Sequence, residues 1–214
     1  MAEIVEGLHT AEFLVSEANG SRSREKITVL TGQNLKVGHV LGRVTVGTVT
    51  GAADAGNTGN GTIASVNAGA GARDGVYKAV FIEPAANLGT FHVEDPAGVV
   101  IGTGVVGTAF NNEVNFTIND GTANFVAGDF FTITVALGTE KEKELNPSAS
   151  DGSDVPSGIL YDAVDASAAD VEGVKVARDA ELNGAEITWP SGITAQEKTD
   201  AIASLRNNLG IIIR

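Results

Sequence analysis

The chain has 214 residues, 14 basic and 27 acidic side chains, a net charge of −13, and no cysteine. So acidic a surface repels nucleic acid and anionic membrane, and the missing thiols exclude disulfides, thiolate nucleophiles and thiolate metal sites. With 27 glycines beside 43% apolar residues, the composition points to short strands and tight turns around a core large enough for one large domain or two small ones.

Charge divides the sequence into three blocks: residues 1–47 are neutral, 48–139 carry −6 and 140–214 carry −7. At the start, Met1-Ala2-Glu3-Ile4-Val5-Glu6 lacks a basic n-region, and no later window approaches the roughly 18 apolar residues of a membrane span. A soluble, unprocessed chain is expected. Phe13-Leu14-Val15 are β-formers in a segment without helical period, so Met1 to Ser16 read as an extended arm before the turn-like Ala18-Asn19-Gly20. From Gly47 to Gly71 the run is almost all Gly, Ala, Thr, Asn and Ser, the texture of a linker, loop or weak edge strand.

Strand signals fill the middle block. Val76 to Ile82, Thr90 to Val93, Val99 to Ile101, Val114 to Ile118 and Phe130 to Val135 are rich in β-branched and aromatic residues and are separated by turns such as Asn119-Asp120-Gly121. Phe91 and Val93, Phe116 and Ile118, and Phe131, Ile133 and Val135 fall on one face at period two, which predicts a half-buried antiparallel sheet. The similar phrases beginning at 91, 116 and 131 share no constant period, so they are not a repeat array. The alternating run Glu140 to Glu144 before Asn146-Pro147 reads as a solvated connector. Tyr161 continues into Asp162-Ala163-Val164-Asp165 as an alternating strand with exposed acids. Trp189-Pro190 is placed to close the core between a strand and a helix. Thr194-Ala195-Gln196-Glu197 has the spacing of a capping box, Ala201, Ile202, Leu205 and Leu209 recur at helical intervals, and Gly210 supplies the stop. A helix over about 195–209 is predicted, followed by a terminal strand at Ile211-Ile212-Ile213.

No constellation carries catalysis. His9, His39 and His92 lie on separate segments without metal-ligand spacing. Asp151-Gly152-Ser153-Asp154 lacks the ligand series of a calcium loop and reads as an Asx turn. The glycines from Gly56 to Gly61 have no preceding strand, following helix or lysine to make a phosphate cradle. No nucleophile elbow is present and the carboxylates are scattered. The chain is read as no enzyme, with no catalytic, cofactor-binding or metal residues and no cofactor.

Five segments carry a resemblance: His9-Thr10-Ala11-Glu12-Phe13-Leu14-Val15-Ser16; Ser23 to Val29; Asp151 to Leu160, with its Asp-Gly and, after five intervening residues, Gly158-Ile159-Leu160; Ile187-Thr188-Trp189-Pro190; and Leu209 to Ile213. Over residues 5–46 and 145–214 they resemble the lambda-like head decoration proteins of tailed bacteriophages. The fold class expected is mainly β (α+β): a small mixed β fold with one C-terminal helix, made of residues 1–47 and 140–214 and interrupted by an antiparallel β-sandwich or barrel-like domain at 48–139. The resemblance implies a homotrimer on the outer surface of the expanded capsid, bound to the major capsid protein and stabilising the head against packaged-DNA pressure, made in the host cytoplasm and without direct nucleic-acid or membrane contact. In this family the N-terminal arm typically adds a strand to the capsid protein, which assigns that role to His9, Thr10, Ala11, Glu12, Phe13, Leu14 and Val15. Trp189, Pro190, Ile159 and Leu160 are candidates for the core or the trimer contact. Two other readings stand beside this one, an adhesion or carbohydrate-binding module displayed on the virion and a tail-tube or spike component.

Overall fold

The computed structural model describes residues 7–86 and 88–214. In chain order the elements are β1 (Leu14–Glu17), the one-turn helix α1 (Gly20–Ser23), β2 (Arg24–Val29), β3 (Gln33–Leu35), β4 (Val40–Arg43), β5 (Val46–Ala53), β6 (Thr62–Ala68), β7 (Gly75–Ala85), β8 (Leu88–Glu94) and β9 (Val100–Val105). They continue with β10 (Ala109–Asn111), β11 (Val114–Asn119), β12 (Phe130–Leu137), β13 (Glu142–Glu144), β14 (Pro156–Leu160), β15 (Val164–Ala166), β16 (Val171–Val176), β17 (Ala180–Leu182), a 3-10 turn at Gly184–Glu186, α2 (Ala195–Leu209) and β18 (Ile211–Ile213). The chain is mainly β, with one long helix near its C-terminal end. It divides into two compact units, one of residues up to Val44 with Glu140–Ala149 and Ser153–Arg214, the other of Thr45–Thr139 with Ser150–Gly152.

The first unit is built on a closed barrel, β13-β2-β16-β14-β4, with a three-stranded sheet β1-β17-β18 and a two-stranded sheet β15-β3. Adjacent residues of β14 serve two cores: Ile159 packs with Phe13, Leu145, Val176, Leu182 and Leu205, while Leu160 packs with Val29, Leu41 and Ala166. Alternation along a strand sends successive side chains to opposite faces, so one strand supplies both. Gly158 permits this. Its φ is +146°, and a Cβ there would lie 2.5 Å from the Val176 carbonyl oxygen, so a side chain is sterically excluded. The helix forms where the capping signals place it. Thr194 and Glu197 make both bonds of the capping box, and Gly210 ends α2 in the left-handed region at φ 66°. The chain then enters β18, which pairs parallel to β17.

Burial overturns the reading of Glu140 to Glu144 as a solvated connector. This segment contributes β13, which closes the barrel between β2 and β4, and Glu142 is only 1% exposed. Charge alternation hid an inward position: Glu142 accepts hydrogen bonds from the buried Lys175 ammonium at 2.7 Å, from Arg43 Nε at 3.1 Å and from the Ser157 hydroxyl. Burial pushes the Lys175 ammonium below the ordinary lysine range, against the pull of Glu142. Two more expectations change. The Ala18-Asn19-Gly20 turn opens a one-turn helix, with the Asn19 side chain accepting from the Ser21 amide. The strand expected to run through Tyr161 breaks there and resumes as β15, which pairs with β3.

The second unit contains two antiparallel sheets, β5-β12-β7-β8-β9 and β10-β11-β6, sharing one core. Phe91 of the larger sheet and Phe116 of the smaller have ring centroids 5.8 Å apart, and Phe81 stacks on Phe125 at 4.1 Å. The faces follow the predicted period: Phe91, Val93, Phe116, Ile118, Phe131, Ile133 and Val135 are all buried. The glycine-rich run after Gly47 supplies β5 and β6, each at the edge of its sheet, where weak strand formers are tolerated. Loops are tied to Asp129, whose carboxylate accepts from the backbone amides of Gly59, Thr58 and Val126. Burial works to raise this carboxyl, and the three amides together outweigh it and hold it below the usual range.

Two outcomes are expected. Lys175→Met leaves Glu142 without its buried partner and lowers stability by about 3–5 kcal/mol, whereas the pair Glu142→Leu with Lys175→Met restores most of the loss; urea titrations of both variants beside the wild type check this. Because the folded Asp129 carboxyl lies low, its contribution is present above the unfolded pKa of about 3.9 and is lost as pH falls through the folded value. Asp129→Asn therefore lowers the melting temperature at neutral pH and flattens its decline as pH falls below about 4.

Candidate functional site

Residues 9–17 form a surface that is anchored on one side and open on the other. His9 and Glu12 close a turn through the His9 amide to Glu12 Oε2 (2.9 Å) and the Glu12 amide to the His9 carbonyl (3.1 Å). Ala11 takes φ 62° inside it, a left-handed geometry that costs about 1–2 kcal/mol without glycine and persists where neighbours enforce it. The enforcement comes from Thr10 Oγ1, which donates to Asp162 at 2.9 Å, and from the Ala11 amide on the Tyr161 carbonyl. Phe13 then turns inward. Its side chain is 0% exposed in the core with Val176, Leu182 and Leu205, and its carbonyl accepts from the Asn183 amide at 2.8 Å.

Beyond Phe13 the backbone becomes β1, the outer strand of the β1-β17-β18 sheet. Leu14 pairs with Leu182, Ser16 with Glu181 and Glu17 with Ala180, the register slipping at Val15. Val15 sits at this bulge and is 60% exposed. The far end of the strand is clamped by Glu17, which accepts from Arg24 and from the Ser23 hydroxyl. The Arg24 hydrogen bond holds the Glu17 carboxyl below the usual range, against burial, and the Arg24 guanidinium lies 4.0 Å from the Tyr161 ring centroid. β1 is a four-residue edge strand held at both ends, with no further strand beside it among the described residues, and such an edge is a template for main-chain pairing by another chain.

The named residues therefore divide. His9, Thr10, Glu12 and Val15 are exposed, Ala11 and Leu14 half-buried, and Phe13 belongs to the core; Met1–Glu6 of the expected arm lie outside the described residues. Ile159 and Leu160 are fully buried, which leaves them to core packing. Trp189 and Pro190 are half-buried; the Trp189 ring packs against the core, with the Lys198 ammonium 5.1 Å from its centroid. The terminal strand expected at Ile211-Ile212-Ile213 joins the same sheet at its opposite edge, where Ile212 pairs with Glu181 of β17 and is exposed. A run of three isoleucines hides which one faces out. In the second unit, Tyr77 and most of the phenylalanine rings are interior, so they offer no stacking platform for sugars. Among the described residues no group of three His, Asp or Glu is placed to hold a metal, and no helix is long and apolar enough to cross a membrane.

The model of the bacteriophage lambda head decoration protein D family matches residues 3–211. The chain belongs to that family. A head decoration protein is a structural component of the phage head, carried on the virion, and capsid decoration is the role that membership gives this chain. No curated protein matches it. Two crystal structures of Xanthomonas campestris FlgL superpose on 50% of the chain, at 25% and 24% identity and TM-scores of 0.34 and 0.33. The superposed part spans 34% and 33% of those chains, and likeness at that level gives the decoration protein no further role.

Anchor and edge separate experimentally. Phe13→Ala is expected to cost about 3–5 kcal/mol by emptying a core position, while Val15→Asp changes stability by no more than about 0.5 kcal/mol. Thermal melts of both variants measure the contrast.

Proposed function

We propose that this decoration protein binds the outside of the expanded phage head as a homotrimer and stabilises the shell against the pressure of packaged DNA. The observation that carries the proposal is the β1 edge: a strand anchored by Phe13 and clamped at Glu17, with Val15 exposed, in a chain of the head decoration family. This edge strand pairs with the major capsid protein, adding a strand to it and gaining main-chain affinity without a deep pocket. Three copies on one symmetric contact multiply a weak interaction through avidity. The role is mechanical, with no chemistry.

We further propose that residues 48–139 are an insertion into the decoration domain. The chain leaves and returns at one place: the Val44 amide donates to Lys141 and the Glu140 amide to Val44, at 3.0 and 2.9 Å, so a short bridge closes the gap at small entropic cost.

The direct experiment is co-sedimentation with expanded and unexpanded shells of the cognate phage, with mass in solution from light scattering. Saturable binding to expanded shells and a trimer mass are expected, and Val15→Asp binds more weakly without unfolding. Absence of binding by the folded wild-type protein overturns the proposal. Replacing residues 48–139 by a Gly-Ser bridge is expected to leave a cooperatively melting protein that still binds; an unfolded product contradicts the insertion reading.

A further inference from the structure

The two sheets of the second unit meet differently along their two sides. On one side β5 and β6 are packed together: a Cβ at Gly51 would lie 2.9 Å from methyl groups of both Ile63 and Val66, which leaves no room for a side chain. On the other, β9 and β10 leave the turn at 106–108 for different sheets, and a cleft of about 460 Å³ opens between them. Both its ends are fixed. At the turn the Thr108 amide donates to the Val105 carbonyl at 3.1 Å, and at the far end Asn112 Nδ2 donates to the Ile101 carbonyl at 2.8 Å. Asn112 is itself held, its Oδ1 accepting from the Glu113 amide at 2.8 Å. The cleft is therefore preformed, and a ligand meets it with little ordering cost on the protein side.

Main-chain groups line it. The Val106 amide donates to the Gly89 carbonyl of β8 and the Asn112 amide to the Val114 carbonyl of β11, so even-numbered residues along β9 and β10 bond their neighbouring strands and odd-numbered ones turn their amides and carbonyls the other way. Thr103 and Val105 on β9, and Ala109 and Asn111 on β10, thereby present theirs to the cleft they line. The side chains of Thr103, Thr108 and Asn111 are exposed and have no hydrogen-bond partner among the described residues. Charge is missing. None of the lining residues ionises, and residues 96–112 hold no Asp, Glu, Lys, Arg or His inside a block that carries −6 overall. The neutral surface continues over the small sheet, where Asn115 and Thr117 of β11 stand opposite Asn111 and Ala109 and Asn115 Nδ2 donates to Asn67 Oδ1 at 3.0 Å.

We propose that this cleft binds a neutral saccharide, its hydroxyls exchanging hydrogen bonds with the free strand edges and with Thr103, Thr108 and Asn111, and its C–H face resting on Val105 and the edge of Phe110. A sugar hydroxyl both donates and accepts, and so do a threonine hydroxyl, an asparagine amide and the N–H and C=O of a strand edge. Recognition by such groups needs no stacked ring. Other ligand classes fit less well: a phosphate or an acidic glycan meets no cation, a metal or a cationic peptide meets no carboxylate, and an apolar ligand leaves the main-chain groups desolvated and unpaired. An inserted peptide strand needs about 4.8 Å on each side, whereas the single Asn112 side chain reaching Ile101 holds the far end closer than that. The site is independent of shell attachment through β1, and its test needs no shell.

The full-length protein is titrated with maltohexaose, cellohexaose, xylohexaose and mannohexaose, and with hexagalacturonate as the anionic counterpart, following backbone NMR shifts. Saturable shifts with at least one neutral hexasaccharide are expected, centred on residues 101–117, with much weaker binding of hexagalacturonate. Thr103→Val with Asn111→Ala is expected to bind that saccharide about tenfold more weakly, and Thr108→Val alone about threefold. All three side chains are exposed, so an unchanged melting curve separates lost binding from lost folding. The proposal is overturned by absence of saturation with all four hexasaccharides, by equal affinity of the combined variant, by equal or tighter binding of hexagalacturonate, or by shifts that map elsewhere. Tighter occupation of the cleft by an uncharged peptide of alternating Thr and Val assigns it to strand pairing and overturns the proposal too.

Discussion

Burial of the Phe13 ring ties the beginning of the described chain to its end. That side chain lies in the core with Leu182 of β17, Ile211 of β18 and Leu205 of α2, and its carbonyl accepts from Asn183 just beyond β17. Everything useful about β1 depends on this contact. An unanchored segment would lose backbone entropy of about 1–2 kcal/mol per residue ordered on binding a partner; here Leu14 to Glu17 are held as a strand before any partner arrives. The turn at His9 to Glu12, with its left-handed Ala11, delivers the chain to that position, and the Glu17–Arg24 pair finishes the strand.

The first unit accommodates a feature that most β-barrels avoid, an ion pair in the interior. Lys175 is 2% exposed and Glu142 1%, so each charge has exchanged water for the other. Such a pair adds little net stability over an apolar pair of the same volume, and losing one partner costs far more. Its effect here is on pairing: β13 has three residues, and seating Glu142 against Lys175, Arg43 and Ser157 defines which of them faces inward. The second unit relies on aromatic packing instead, and its loops converge on Asp129.

Legibility followed how local each signal is. The helix was readable to the residue because capping box, periodicity and stop glycine all lie within α2 and its flanks. The middle strands were readable because Phe and Ile alternate with Thr, His and Asn at period two. Barrel closure was not: whether Glu142 faces solvent or Lys175 depends on a partner 33 residues away, and charge alternation alone looks the same in both cases. Phe13 reads as a β-former, but its companions in the core come from residues 37–211, so its role as anchor is hidden. The named capsid-binding segment, His9 to Val15, proves to combine two kinds of residue, an exposed set and one core side chain.

In the proposed function the shell pairs with the edge of β1. Amide hydrogen exchange of the protein free and bound to expanded shells tests it most directly. Slowed exchange over Val15 to Glu17 on binding, with the Phe13-anchored core unchanged, is the predicted result. Firm shell binding that leaves exchange along β1 unaltered would contradict the account.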